Sequence, residues 1–164
     1  MKRLALFAFA LFALLLPSFA GADWLVTQDD RLITIQGSWS IDGDTVAYTE
    51  EDGTEQTMPL AQVNLDASKM ATDMGNRITM YATSWCGFCE RTREFMAQIG
   101  VPFVEKDIEA DPSAFAEFNA KVGKSGVPVL DIDGQLVRGF RPADIRRHVL
   151  DLKARIESEH KAAR

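Results

Sequence analysis

The chain has 164 residues, 46% hydrophobic and 26% charged, with 18 Lys and Arg against 24 Asp and Glu, a net charge of −6. That apolar fraction supports a packed core and excludes wholesale disorder, and the length suits one domain with an appendage. Two cysteines exclude a multi-disulfide scaffold, and the acidic balance argues against general nucleic-acid binding.

The charge is unevenly placed. Residues 1–22 carry only Lys2 and Arg3, while residues 23–68 carry ten acids and a single base, Arg31, for a net of −9. Residues 69–164 carry 15 bases and 14 acids. Such asymmetry predicts separate modules.

Met1-Lys2-Arg3 followed by the apolar run Leu4 to Leu16, Pro17 and small residues fits a secretory signal, with cleavage after Ala20 or Ala22. Thirteen apolar residues make about 20 Å of helix, short of a hydrocarbon core of about 30 Å. The expected location is the periplasm, because the brevity of the signal is of the bacterial type. No cysteine near the cleavage region suggests a lipid anchor, so no membrane anchor is expected after cleavage.

Residues 23–63 are expected to form a small acidic β-meander. Arg31 to Ile35, Trp39 to Ile41, Thr45 to Thr49 and Glu55 to Leu60 read as strands, with turns at Asp42-Gly43 and Asp52-Gly53. Pro59 places the last of these at an edge. Residues 64–76 read as a helical connector. From Arg77 the pattern becomes Ile78–Ala82 strand, Cys86–Ile99 helix, Val101–Lys106 strand, and a helix from Asp111-Pro112 to about Val122. Val127–Ile132 and Leu136–Arg138 follow as strands about an Asp133-Gly134 turn. A last helix opens at Pro142, with Ile145, Val149, Leu152 and Ile156 on one face. The third and fourth of these strands must be antiparallel and the first two parallel. The fold class is therefore α/β, a mixed four-stranded sheet flanked by helices over residues 77–152, with 153–164 as helix end and tail.

Trp85-Cys86-Gly87-Phe88-Cys89 lies where a strand gives way to a helix. At a helix N-terminus the free N–H groups and the dipole stabilise a thiolate, which suits Cys86 as nucleophile. Cys89, one turn inside, can resolve the mixed disulfide by attacking Cys86. Competing readings are a metal site, a structural disulfide or an inactive redox fold. A metal site needs about four ligands, and His148 and His160 are remote in sequence, so no metal is expected.

Tyr81, Trp85-Cys86-x-x-Cys89, the Val127-Pro128 step and Gly139-Phe140-Arg141-Pro142 resemble the glutaredoxin family, within the thioredoxin fold. The Gly-Phe-Arg-Pro run is similar to the NrdH-redoxins. The resemblance implies thiol–disulfide exchange with Cys86 nucleophilic, Cys89 resolving and Pro128 cis. It assigns substrate contact to Trp85, Phe88, Val127, Pro128, Gly139, Phe140 and Arg141. Thr83 and Ser84 stand where many glutaredoxins carry a glutathione-binding lysine, and Met80 where thioredoxins bury an aspartate.

The expected function is a thiol–disulfide oxidoreductase of undetermined direction, with disulfide-containing periplasmic proteins as substrates and a thiol reductase or oxidase as redox partner. No tightly bound cofactor is expected, and glutathione is a candidate reductant. The alternatives are a non-catalytic binding module and metal delivery through the cysteine pair. The meander, with Trp39 and Tyr48 expected on its surface, is a candidate homodimer contact. Arg138, Arg141, Arg146 and Arg147 are expected to form a basic rim that the acidic module attracts.

Overall fold

The computed structural model describes residues 23–163, so the expected signal segment lies outside the described residues. The first elements are short strands: β1 (Asp23–Val26), β2 (Leu32–Ile35), β3 (Ser40–Asp42), β4 (Thr45–Thr49) and β5 (Glu55–Pro59). β1 and β2 pair antiparallel, and β3-β4-β5 form an antiparallel meander with β5 on an edge. An isolated bridge between Ile35 and Glu50 links the two pieces. β1 has no counterpart among the expected strands, because the partners that hold it lie 42 and 48 residues away.

Leu25, Ile35, Val46 and Val63 make a small core. Trp39 and Tyr48, expected on the surface, are half-buried against it. A module with so few fully buried aliphatics needs their rings, because each buried aliphatic contributes only about 1.5–3 kcal/mol. Sheet edges also need partners. β1 receives them from the next helix, α1 (Leu65–Gly75), whose N-cap Asn64 accepts the Ala67 N–H. Buried Ser68 accepts the Val26 N–H at 2.8 Å and Thr72 accepts the Trp24 N–H at 3.1 Å. Spaced four apart, both hydroxyls face the same strand. The helix is thus an integral layer over β1 rather than a free connector.

The remaining elements are β6 (Ile78–Ala82), α2 (Gly87–Gln98), β7 (Val104–Asp107), α3 (Pro112–Lys121), β8 (Val129–Ile132), β9 (Gln135–Arg138) and α4 (Pro142–Ala162). The sheet order is β7-β6-β8-β9, with β6 and β7 parallel and the other pairs antiparallel, a thioredoxin-like arrangement. β7 begins later than expected, after Pro102, which has no N–H to offer a ladder.

Alternation along the strands divides the core into two layers. Ile78, Met80, Ala82, Leu130, Ile132 and Val137 face α2 and α4. Tyr81 and Val129 point to the other side, against Phe118 of α3. All four periodic residues of the last helix are buried, including Ile156. α4 therefore runs on as the expected helix end beyond 152, reaches Ala162, and packs Ile156 into the main core. The Arg77–Glu159 ion pair and the His160–Asp73 hydrogen bond, both at 2.6 Å, fasten that end to the chain around α1. Among the described residues no ion pair joins 23–63 to the redox domain. At the junction with α1, the two hydroxyl contacts and the Asn64 N–H donated to the Val26 carbonyl hold β1 in place. No helix among the described residues is long and apolar enough to cross a membrane.

Candidate active site

Strand register brings four loops to one end of the sheet. Tyr81 of β6 pairs with Val129 of β8, Val129 pairs with Arg138 of β9, and Ala82 pairs with Asp107 of β7. Residues 83–86, 126–128, 139–141 and 108–110 therefore converge. Within that ring, Gly139 donates its N–H to the Pro128 carbonyl at 2.8 Å, and Ile108 donates to the Ala82 carbonyl at 3.0 Å. The Val127–Pro128 peptide is cis.

Cys86 is the N-cap of α2, and its Sγ accepts the Cys89 N–H at 3.1 Å. The two sulfurs form a disulfide across a Cα–Cα distance of 5.2 Å. Cys86 is 7% exposed and Cys89 fully buried, so the first cysteine is the one nearer solvent. Gly87, the first helical residue, is exposed with open space beside its Cα.

Two large apolar side chains flank the pair: Trp85 is 71% exposed and Phe88 57%. The Trp85 indole N–H donates to the Glu109 carboxylate at 2.8 Å, and Arg91 lies over the Phe88 ring. Neither partner was anticipated from sequence. The neighbouring Asp107 accepts the backbone N–H groups of Glu109 and Ala110, which hold its carboxyl below the usual range. An aspartate ending a strand two residues before such a turn is the signal that would have marked this loop.

The other expected contact residues surround the same end. Val127 is partly buried against the main core, and Pro128 is buried. Gly139 sits at φ 75°, a conformation that favours glycine, and allows the chain to reverse into Phe140. Phe140 meets Phe95 of α2 edge-on at 6.1 Å, and Arg146 covers that same Phe95 ring. Arg141 pairs with Asp144 at 2.6 Å, as Arg147 does at 3.3 Å. The expected basic rim is therefore largely committed: two of its arginines share one aspartate and a third stacks on a ring.

Behind the sheet, Tyr81 donates to Glu117 at 2.7 Å, and Lys106 and Lys121 also pair with that carboxylate. Lys121 reaches Asp131 as well, at 3.1 Å. The Lys106 contact brings Glu117 down to about 2, while burial first and then Glu117 push Tyr81 up to about 12. This network ties β6, β7, β8 and α3 together and fixes the strand that delivers Cys86. Thr83, between that strand and the cysteines, has a buried hydroxyl with no hydrogen-bond partner among the described residues.

Comparison with known proteins gives this geometry a family. The glutaredoxin family model matches residues 78–137. A glutaredoxin-like 8.6 kDa protein of the rubredoxin operon in Clostridium pasteurianum is 34% identical over 68 residues, covering 42% of this chain and 91% of that protein. This chain belongs to the glutaredoxin family. A glutaredoxin of Pseudomonas aeruginosa is 32% identical over 62 residues, covering 38% of this chain and 74% of the relative. Among solved structures, the glutaredoxin-like NrdH-redoxin from Escherichia coli, described as having a thioredoxin-like activity profile, is 29% identical with a TM-score of 0.40. It is covered over 93% of its length by 44% of this chain. The glutaredoxin region thus carries a redox-type cysteine pair, and the meander lies outside the matched residues.

Proposed function

We propose that this glutaredoxin family member is a thiol–disulfide oxidoreductase acting on protein disulfides. The observation that carries the reading is the bonded Cys86–Cys89 pair at the N-terminus of α2, with Cys86 toward solvent and two exposed aromatic side chains beside it. In the reducing direction the Cys86 thiolate attacks a substrate disulfide, forming a mixed disulfide and releasing one substrate thiolate. Cys89 loses its proton and attacks Cys86 Sγ, releasing the second substrate thiolate. Two electrons pass to the substrate and the Cys86–Cys89 disulfide forms. Run backwards, the same steps oxidise a substrate dithiol.

The proposal extends to the compartment and partners. Export by the N-terminal signal places the protein in the periplasm, with disulfide-containing proteins there as substrates. A thiol reductase or oxidase resets the pair, glutathione is the candidate small reductant, and pairing of two copies through the meander remains part of the proposal. The departures at Thr83 and Ser84 and the Arg141–Asp144 pair favour protein over glutathione as substrate.

Trapping tests the chemistry. The Cys89→Ser variant is expected to accumulate mixed disulfides with a disulfide-bonded protein through Cys86, and Cys86→Ser to accumulate none. Absence of adducts in both variants, with no disulfide reduction or oxidation by the wild type, would overturn the reading.

A further inference from the structure

We infer that docking of the meander onto the redox domain builds a second client-binding surface, a groove for an apolar polypeptide segment bearing acidic residues. The inference deepens the thiol–disulfide reading above by naming the substrate class.

The groove, about 470 Å³, is lined by residues of β1, β2 and the turn between them, by one face of α1, by the end of α2 and by the middle of α4. Its floor includes Met70 and Met74 of α1 and Ile99 at the end of α2. Leu32 of β2 and Leu150 of α4 both line it and are 40% and 58% exposed. Neither the meander nor the redox domain forms this cleft alone. Methionines on the floor suit variable partners, because an unbranched thioether adapts to different side-chain shapes.

Charge selects among apolar partners. Arg146 and Lys153 of α4 line the groove opposite Asp30. Arg146 stacks on Phe95 but has no carboxylate partner, and Lys153 and Asp30 make no ion pair among the described residues. Two cations against one acid, in a chain of net charge −6, make this a cationic place to which acidic segments are drawn. Contacts run from the groove to the loop beside the cysteines: Arg146 of the groove covers Phe95, and Phe140 of residues 139–141 meets that same ring.

The test uses the intact protein and two cysteine-free peptides of equal length, each with three leucines, one interspersed with glutamates and one with lysines. Fluorescence anisotropy is expected to show the acidic peptide bound about tenfold more tightly, and Leu150→Glu and Lys153→Glu each to weaken it about tenfold. Both side chains are exposed, so both variants are expected to keep the fold. Single-turnover reduction of a small aromatic disulfide by the pre-reduced variants is expected to stay at the wild-type rate. Equal binding of the two peptides, no binding, or binding unmoved by Leu150→Glu overturns the groove. A wild-type dimer that Leu150→Glu dissociates, with no peptide bound, assigns the surface to a second copy and overturns it too. Failure to reduce the small disulfide overturns the redox reading and leaves peptide binding to be judged separately.

Discussion

The indole of Trp24 occupies the space that a side chain on Gly75 would need: a Cβ there would lie 2.2 Å from Cζ3 and 2.4 Å from Cη2. Trp24 is the most bulky residue of β1 and almost wholly buried, so this contact sets how closely the meander approaches α1.

Gly75→Ala is accordingly expected to destabilise the protein, although alanine is the better helix former by about 1 kcal/mol. The overlap involves a ring held by the surrounding core, and overpacking of that kind costs about 1–3 kcal/mol. Thermal unfolding should register a lower midpoint. A raised midpoint would mean that the indole moves aside freely.

Glu117 gives a pH prediction. Its carboxyl is lowered from 4.5 to about 2 by Lys106, so its ion pairs stabilise the fold fully above pH about 4.5. That stabilisation is lost as pH falls toward 2. Glu117→Gln should therefore be less stable than wild type at pH 7, by about 1 kcal/mol once solvent screening of this partly exposed group is allowed for. The gap should close as pH falls from 5 to 2, which urea titrations across that range would follow. A gap that widens in acid would refute the assignment.

Thr83→Val replaces a buried hydroxyl that has no partner among the described residues with a methyl of similar shape. Relieving an unpaired buried polar group is expected to leave stability unchanged or raise it by about 1 kcal/mol, read from the denaturant midpoint. A loss of stability would show that the hydroxyl is engaged.

How much was legible in the sequence follows from the range of each determinant. The order of strands and helices from Ile78 to Ile156 depends on local periodicity, caps and an Asp-Gly turn, and the mixed four-stranded sheet follows from loop lengths. Cys86 and Cys89 announced themselves by spacing and position. What escaped notice depends on partners remote in sequence. β1 exists because β2 pairs one edge and Ser68 and Thr72 the other, from 42 to 48 residues away. The Trp85–Glu109 hydrogen bond depends on β7 lying beside β6. The inward packing of Trp39 and Tyr48 follows from the small size of the module's core, which a strand pattern does not display. The arginines were grouped by nearness in sequence, whereas Asp144 and Phe95 divide them in space.

The hydroxyls over β1 have a further consequence for self-recognition. An uncovered strand edge is a template on which another chain can lay its own backbone. Here the outward amides of Trp24 and Val26 are taken up by Thr72 and Ser68, and the Val26 carbonyl accepts the Asn64 N–H at 2.8 Å. The two-stranded sheet cannot be lengthened on that side without first stripping away a helix. The three-residue β3 and the proline-ended β5 are left as the places where a neighbouring molecule could add a strand to the meander.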